Sequence, residues 1–301
     1  MPELPEVETT VRGIKPLVLG QTIKQIHIHN AKCRIVPDHK LTAQVGTTIK
    51  DVIRRAKYIC IDNGAGYIVI HLGMSGNLKV VDSSLPLLKH DHVEIVFANN
   101  KVLRYNDHRR FGGVTFLTYQ EFAHSELFIH NGPDALSNDF NAQYLATYQQ
   151  KRSQRPIKQL LMDNKVVVGV GNIYANESLF ECGINPCTYI QDLSLAQIEQ
   201  LVAFIKKILL RSIEAGGTTL RDFKQPDGKP GYFAQELKCY GKEGEYDSHY
   251  DDYFVRLDLG GRSAFFLPKK QPLIGKATAK YQELVDTAIA QSKTKHTKKE
   301  D

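Results

Sequence analysis

The sequence predicts an α+β multidomain protein, because its residue pattern changes twice along the chain. An amphipathic helix comes first, and short β-rich segments separated by Gly, Asn and Asp follow it, which is typical of a sandwich or barrel. Near Asn131-Gly132-Pro133-Asp134 the apolar residues change to helical spacing. From Leu237 onward the pattern is β-like again and predicts a hairpin.

The opening segment MPELPEVETT predicts the start of the first helix. Pro5 suits a first helical turn, and the acidic residues around it favour the positive end of the helix dipole. Apolar residues then recur at three- and four-residue spacing on one face: Leu4, Val7, Val11 and Ile14. This interpretation explains the segment from Leu4 onward but leaves Pro2 unexplained.

The β-rich segments, the second helical region and the hairpin have recognisable boundaries. The predicted strands are Thr22–His29, Thr47–Ala56, Tyr58–Asp62, Tyr67–His71, Leu78–Val81, His92–Phe97, Lys101–Tyr105 and Val114–Leu117. Ser194 and Gln197 form a capping box before a long apolar-faced helix that Gly216-Gly217 should end. The predicted hairpin pairs Tyr253–Leu257 with Ser263–Leu267. A short helix is expected from about Thr278, followed by a disordered basic tail.

Composition narrows the class of protein but does not decide it. The chain has 301 residues, 42% of them hydrophobic and 24% charged, and no apolar run approaches the roughly 20 residues that cross a bilayer. The five cysteines form no C-x-x-C pair, which favours reduced thiols in a cytoplasmic protein without a membrane partner. The formal net charge of +6 is compatible with nucleic-acid binding and is also common in proteins without it.

Pro2 has a chemical use that its neighbours lack. Removal of Met1 would expose a secondary amine, and an α-amino group titrates near 8, so much of it is neutral at cellular pH. A neutral amine adds to an aldehyde-like carbon and forms a cationic iminium, while Glu3 beside it offers proton transfer. On this chemistry alone the plainer interpretation, a capped helix start, is favoured.

Three further segments suit contacts with DNA. VGVGNIYANESLF (168–180) places a Gly-rich turn and Asn172 before a helix, where free backbone N–H groups suit a phosphate, although a plain helix hairpin is equally consistent. HLGMSG (71–76) exposes Met74 at a glycine turn, and DHRRFGG (107–113) offers Arg109 and Phe111. Apolar wedges and an arginine are what base extrusion requires, whereas each segment alone is usually loop or core.

Together these segments resemble one family. The chain is similar to the formamidopyrimidine-DNA glycosylases, bacterial 8-oxoguanine DNA glycosylases with AP lyase activity. The matching motifs are MPELPEVETTVRGI, AKYI, HLGMSG, DHRRFGG, LLMDNKVVVGVGNIYANESLF, GGTTLRDFKQPDGKPGYFAQELKCYGKEGE and LGGR. They run in the family's order from residue 2 to about residue 270. The resemblance implies an N-terminal β-sandwich with a flanking helix, a helical helix–two-turns–helix domain and a C-terminal β-hairpin finger.

The resemblance also implies roles for individual residues. Pro2 is the implied nucleophile at the sugar C1′, Glu3 the acid/base, and Lys57 a partner in glycosidic cleavage; Arg262 is grouped with them as a phosphate contact. The implied gap-filling residues are Met74, Arg109 and Phe111, and the implied phosphate contacts are His71, Lys158 and Asn172. A loop that folds over the flipped base is implied to include Thr218, Thr219, Leu220, Arg221 and Tyr232.

One departure from the family concerns zinc. Most members end in a finger that has C-x-x-C on each side of a hairpin, a strong zinc signature. Here an ungapped alignment places Asp247 and Tyr250 at the first pair of positions, and Leu267 and Lys270 at the second. We therefore expect a zincless finger and no cofactor, with aromatic and aliphatic residues in place of the metal.

The domain boundaries predicted on this basis divide the chain into four parts. They are 1–131, the catalytic β-sandwich domain; 132–235, the helix–two-turns–helix domain with the lesion loop; 236–271, the zincless finger; and 272–301, a partly disordered extension. The finger should still grip DNA, because Arg262 remains at its tip.

The expected activity is excision of oxidised purines from duplex DNA by a monomer, through an iminium on Pro2 followed by β,δ-elimination. An endonuclease VIII type that prefers oxidised pyrimidines is one alternative, and the opening PELPE rather than PEGPE favours the purine enzyme. The other alternative is a DNA-binding protein without catalysis. The presence of Pro2, Glu3 and Lys57 argues against it.

Overall fold

The computed structural model describes residues 2–151, 153–219, 225–227 and 229–300, with side chains as far as Ser292. Two four-stranded antiparallel sheets build the N-terminal part, with strand orders β1-β6-β7-β5 and β2-β3-β4-β8. The strands are β1 (Ile23–Ile28), β2 (Asp51–Arg55), β3 (Tyr58–Asp62), β4 (Gly66–His71), β5 (Asn77–Asp82), β6 (Asp91–Phe97), β7 (Lys101–Asn106) and β8 (Gly113–Thr118). Every predicted strand in this region is present, and the predicted β-sandwich is confirmed.

Helix α1 (Leu4–Val18) flanks the sandwich and contributes to its core. Val7, Val11 and Ile14 belong to one buried cluster with residues of both sheets, among them Phe97 and Phe116. The predicted apolar face of the helix is therefore the face that is buried. The helix begins at Leu4, so Pro2 and Glu3 lie directly before it, with Glu3 in the N-cap position.

Six of the remaining helices are α2 (His39–Thr42), α3 (Tyr119–Ala123), α4 (Ala142–Gln150), α5 (Ile157–Leu161), α6 (Asn172–Glu181) and α7 (Leu195–Glu214). The predicted capping box of α7 is present, since Gln197 N donates to Ser194 Oγ at 3.2 Å and Ser194 N to Gln197 Oε1 at 2.9 Å. Gly216 and Gly217 follow the helix in left-handed conformations, as the sequence indicated.

The predicted hairpin is formed by β11 (Val255–Asp258) and β12 (Ser263–Phe266), paired with Val255 opposite Phe266. A smaller hairpin of β9 (Tyr246–Asp247) and β10 (Asp252–Tyr253) precedes it. Helix α8 extends over Thr278–Glu300, so it is longer than the short helix that the sequence predicted. The disorder expected for the basic tail stays a prediction. The helix is longer because apolar residues such as Val285 and Ala288, at helical spacing, pack against the hairpin.

Backbone contacts divide the chain into two compact units. The first contains Met1–His130 and Arg211–Gln235, and the second contains Asn131–Leu210 and Glu236–Asp301. The predicted lesion loop thus belongs with the sandwich, and the finger with the helical region. The predicted division into four domains stays a prediction. Within the part of the chain that the structure describes, no helix combines the length and apolar content needed to cross a bilayer.

Candidate active site and nucleic-acid interface

The segment before α1 is buried and tied down, unlike most chain starts. Pro2 is buried, and Glu3 is only 2% exposed. The backbone N–H of Glu3 donates to Glu6 Oε2 at 2.7 Å, and the N–H of Thr218 donates to Glu6 Oε1 at 2.8 Å. One buried carboxylate therefore joins the predicted nucleophile segment to the first residue of the predicted lesion loop.

Lys57 lies in the tight turn between β2 and β3, where Ala56 adopts a left-handed conformation with φ of 55°. Arg54 holds this turn to α1. Its Nη1 donates to the carbonyl of Ala56 at 2.9 Å, and its Nε donates to Glu8 Oε2 at 3.1 Å. Because α1 begins two residues after Pro2, this contact fixes the lysine turn to the helix that carries the predicted nucleophile.

The loops that carry Met74, Arg109 and Phe111 are organised by Asp107, which is fully buried. Its Oδ1 accepts from Ser75 Oγ at 2.6 Å and from the Arg109 N–H at 3.3 Å. Its Oδ2 accepts from Tyr105 Oη and from the Gly112 N–H, each at 3.0 Å. A single carboxylate thus accepts hydrogen bonds from both predicted gap-filling loops.

The same loops approach each other too closely for side chains. Gly73 has φ of +63°, and a Cβ built there would lie 2.4 Å from the Gly112 nitrogen. Next to this close approach, Met74 is half-buried, whereas Arg109 and Phe111 are exposed. The guanidinium carbon of Arg109 lies 5.1 Å from the centroid of the Phe111 ring. The three residues are therefore presented together from one rigid base, as gap filling requires.

His71 ends β4 at the edge of the Met74 loop, and its Nδ1 accepts from the Gly73 N–H at 3.1 Å. Burial, with the positive charges of Arg34 and Lys57, lowers the pKa of His71 to about 4. The imidazole is thus neutral near pH 7. With Nδ1 occupied as an acceptor, the proton resides on Nε2, which makes His71 a neutral hydrogen-bond donor.

The predicted lesion loop is described at Thr218 and Thr219, over 225–227 and from Lys229 to Tyr232. Thr218 pairs with Tyr232 in an antiparallel bridge, and the Gly231 N–H donates to Thr219 Oγ1 at 2.8 Å. The Tyr232 side chain is 51% exposed. Leu220 and Arg221 lie outside the described residues, so their predicted role stays a prediction.

In the second unit, Lys158 and Asn172 are brought together. Lys158 Nζ donates to Asn172 Oδ1 at 2.6 Å and to the carbonyl of Ser263 at 3.0 Å. Ser263 begins β12, and its neighbour Arg262 is exposed in the hairpin turn. Three predicted phosphate contacts therefore cluster at the finger. Lys158 itself is only 1% exposed, so its ammonium orders Asn172 and the hairpin rather than facing solvent.

The four positions aligned with zinc ligands do not form a metal site. Asp247 Oδ1 accepts from the backbone N–H groups of His249 and Tyr250, and Leu267 is fully buried in an apolar cluster. The ammonium of Lys270 lies 4.2 Å from the centroid of Phe180 and 5.1 Å from that of Tyr250. Within the described residues, no group of three or more His, Cys, Asp or Glu side chains is arranged to hold a metal ion. A buried leucine and a stacked ammonium do not fit zinc.

Three buried carboxylates were missed as site residues by sequence reasoning. Glu6 had been assigned only to the helix dipole, although its spacing from Glu3 is that of a capping pair. The sequence shows Asp107 only as an acidic residue shortly after a predicted strand, and it does not indicate which donors the carboxylate binds. Glu177 accepts from the N–H groups of Lys238, Cys239 and Tyr240 at 2.6 to 2.9 Å, and nothing in the sequence of α6 indicated this.

Comparison with known proteins identifies the family. Residues 1–114 match the formamidopyrimidine-DNA glycosylase N-terminal domain, and residues 131–224 match the formamidopyrimidine-DNA glycosylase H2TH domain. The chain belongs to the formamidopyrimidine-DNA glycosylase family. The predicted family resemblance is confirmed, and so is the predicted fold class with its helix–two-turns–helix domain.

Individual family members match over most of their length. The formamidopyrimidine-DNA glycosylase of Yersinia enterocolitica is 49% identical over 267 residues, which are 88% of this chain and 98% of the relative. That of Salmonella newport is 51% identical over 247 residues, 81% of this chain and 90% of the relative. A Lactococcus lactis Fpg in complex with an abasic site containing DNA superposes with a TM-score of 0.83 at 30% identity, covering 90% of this chain and all of that one.

Proposed function

We propose that this chain is a bifunctional base-excision-repair DNA glycosylase and AP lyase that removes oxidised purines from duplex DNA. Pro2, once Met1 is removed, attacks the sugar C1′ and displaces the damaged base. The resulting iminium allows β- then δ-elimination, which leaves a gap with phosphates at both ends. Family membership supports the class of reaction, and the geometry described above supports the proposed residue roles.

The observation that carries the proposal is the carboxylate of Glu6. It accepts from the Glu3 N–H at 2.7 Å and from the Thr218 N–H at 2.8 Å, and its side chain is buried. A nucleophile must be held within a few tenths of an ångström of its target, and a lesion loop must close over the same sugar. Glu6 links both segments within one compact unit.

Proton transfer and charge stabilisation are assigned to two neighbours. Glu3 adjoins the nucleophile and is the acid/base that protonates the leaving group or the opened sugar oxygen. Lys57 is held to α1 through Arg54, so its ammonium is the cation that assists glycosidic cleavage and meets a flanking phosphate.

DNA binding is assigned to groups in each unit. Met74, Arg109 and Phe111 fill the gap left by the extruded nucleotide, and Arg109 faces the orphaned base. His71, Lys158, Asn172 and Arg262 hold backbone phosphates, with Lys158 acting in part through Asn172, to which it is bonded at 2.6 Å. Such contacts position the duplex without reading its sequence.

No cofactor is proposed for the reaction, and the finger is proposed to fold without zinc. The supporting observation is the chemistry of the aligned positions, where Leu267 offers no donor and Lys270 stacks on aromatic rings. The partner is damaged duplex DNA and the acting species a monomer. The bacterial cytoplasm is the proposed location, which suits five unpaired cysteines.

Borohydride trapping on a duplex containing 8-oxoguanine opposite cytosine tests the proposal. The wild-type protein should form a covalent adduct, and a variant with an alanine inserted before Pro2 should form none while binding an abasic-analogue duplex normally. Pro16→Ala, in the same helix but exposed, is the control and should trap like wild type.

Other outcomes have definite meanings. Bound but untrapped DNA would identify a binding protein without catalysis. A clear preference for oxidised pyrimidines would assign the chain to the endonuclease VIII type instead. Full trapping by the insertion variant would refute Pro2 as the nucleophile.

A further inference from the structure

Helix α8 packs directly on the finger hairpin. Val285 and Ala288 are 4% and 5% exposed, and they share an apolar cluster with Val255, Leu257 and Phe266 of the two hairpin strands. Tyr281 and Ile289 pack at the edge of the same cluster. The contact therefore uses one face of the helix against one face of the hairpin.

The opposite face of the hairpin packs on a second cluster. Phe265 of β12 and the flanking residues Phe254 and Leu267 lie with Phe180 of α6 and Cys239. Successive strand residues alternate between faces, which is why Phe266 joins the α8 cluster and Phe265 the α6 cluster. The hairpin is thus held between two apolar layers.

The α6 layer contains Tyr250 and Leu267, two of the positions at which relatives with the four-cysteine motif carry zinc ligands, and the α8 layer covers the other face of the hairpin. A two-stranded hairpin is marginally stable on its own, and a structural zinc site supplies the missing folding free energy in such fingers. Here three of the four aligned positions hold groups that pack in or beside this layer, Tyr250, Leu267 and Lys270. The alignment that covers 98% of the Yersinia relative covers only 88% of this chain, so this chain has residues without a counterpart there.

We propose that α8 stabilises a finger that lacks the metal site: it holds the hairpin in the conformation that presents Arg262 to the DNA backbone. Val285 and Ala288 are positioning residues that act through β11 and β12, and Arg262 is the group they position. This inference rests on the proposed function for its DNA readout. Its structural part, that α8 keeps the finger folded, is independent of that function.

The test compares two adjacent apolar residues of α8. Val285→Asp places a charge in the cluster, whereas Leu284→Asp places the same charge at a position that is 39% exposed. Val285→Asp should weaken the affinity for an abasic-analogue duplex by about tenfold or more, because Arg262 would no longer be positioned to bind backbone phosphates. The affinity of Leu284→Asp for the same duplex should stay within about twofold of wild type. Val285→Ile keeps an apolar side chain in the cluster and should retain wild-type affinity.

Two further readouts separate positioning from general damage. At saturating DNA the rate of borohydride trapping by Val285→Asp should equal that of wild type, because the catalytic unit is untouched. Hydrogen exchange of the free protein should show faster exchange in 254–266 for Val285→Asp only. A chelator should change neither the affinity nor the exchange of wild type.

The inference is overturned if Val285→Asp keeps wild-type affinity and hydrogen-exchange protection of the hairpin. It is also overturned if a chelator releases the hairpin of the wild-type protein, since a metal would then hold it. Failure of wild type to trap DNA would refute the proposed function and leave the exchange result standing.

Discussion

The gap-filling loops and the finger are both proposed to present side chains to DNA, but they are held by different forces. The loops are fixed by hydrogen bonds that converge on the buried carboxylate of Asp107. The finger is fixed mainly by apolar packing of its hairpin between α6 and α8. Hydrogen bonds fix the direction between two groups and hold their distance to within tenths of an ångström. Apolar packing, in contrast, tolerates exchange of one apolar residue for another.

The difference matches what each region has to do. A wedge that replaces an extruded base must meet one gap in the stack, so its backbone has to be placed accurately. A guanidinium that meets backbone phosphates works over a range of positions, because electrostatic attraction decays gradually with distance. Apolar packing can therefore take over the structural role of a metal in the finger. No apolar side chain can take over the role of the Asp107 carboxylate, because it accepts hydrogen bonds from the loops.

Asp107→Asn should have the largest effect. An amide directs an N–H₂ group at donors such as the Gly112 N–H, so the loops lose their common acceptor. Excision of 8-oxoguanine in single turnovers should fall by about 100-fold, the loss expected from misplacing contact groups by about an ångström. A 2-aminopurine next to the lesion should report slower insertion of the wedge.

The matched control is Asp91→Asn. Asp91 is also buried in the sandwich unit, and it accepts from the Leu88 N–H and Asn106 Nδ2, each at 2.8 Å. It should leave insertion within about twofold of wild type. Equal losses in the two variants would mean that Asp107 acts on stability alone and that the loops do not depend on its geometry.

An intermediate effect is expected for Glu177→Gln at the base of the finger. Burial raises the pKa of Glu177, although the N–H groups of Lys238, Tyr240 and Cys239 favour its charged form. The variant loses part of a three-donor site while both apolar layers remain, so affinity for an abasic-analogue duplex should fall by about fivefold. Glu181→Gln, one turn later and paired with Lys238 at the surface, should change it little. A loss of affinity larger than the loss of excision expected for Asp107→Asn would mean that the finger depends on hydrogen bonds to a carboxylate more than the gap-filling loops do.

The last effect concerns the pH dependence of stability rather than DNA. The folded pKa of His71 is about 4, below its ordinary value of 6.5, so the unfolded chain binds a proton that the folded protein does not. Stability is therefore full above about pH 6.5 and is lost as the pH falls toward 4, by roughly 2 kcal/mol at pH 4.5 from this group. In thermal unfolding, His71→Gln should remove that part of the acid sensitivity, and exposed His124→Gln should not. Identical acid slopes would mean that the imidazole is not held neutral.

Much of this fold was predictable from residue patterns. The strands of the sandwich are short β-rich runs separated by turn residues. Helices α1 and α7 have regular apolar faces with capping residues, so local chemistry and tertiary packing agree. The hairpin was predicted from its paired apolar runs around Gly260-Gly261. Such elements are specified by short-range signals that a sequence contains directly.

The contacts that organise the site were not predictable in the same way. Asp107 and Glu6 act through backbone N–H groups of distant or adjacent loops, and a backbone donor leaves no signature in residue type. The length of α8 was underestimated for a related reason, since its polar sequence is helical on account of the hairpin packed against Val285 and Ala288. Tertiary contacts decided these features.

The most direct test of the account is to locate the trapped adduct on the protein while a chelator is present. Wild-type protein would be incubated with EDTA and an 8-oxoguanine duplex, reduced with borohydride, digested and analysed by tandem mass spectrometry. We expect full trapping, with the reduced sugar on the nitrogen of Pro2 at the start of the peptide. An adduct on Lys57, or loss of trapping in EDTA, would contradict it.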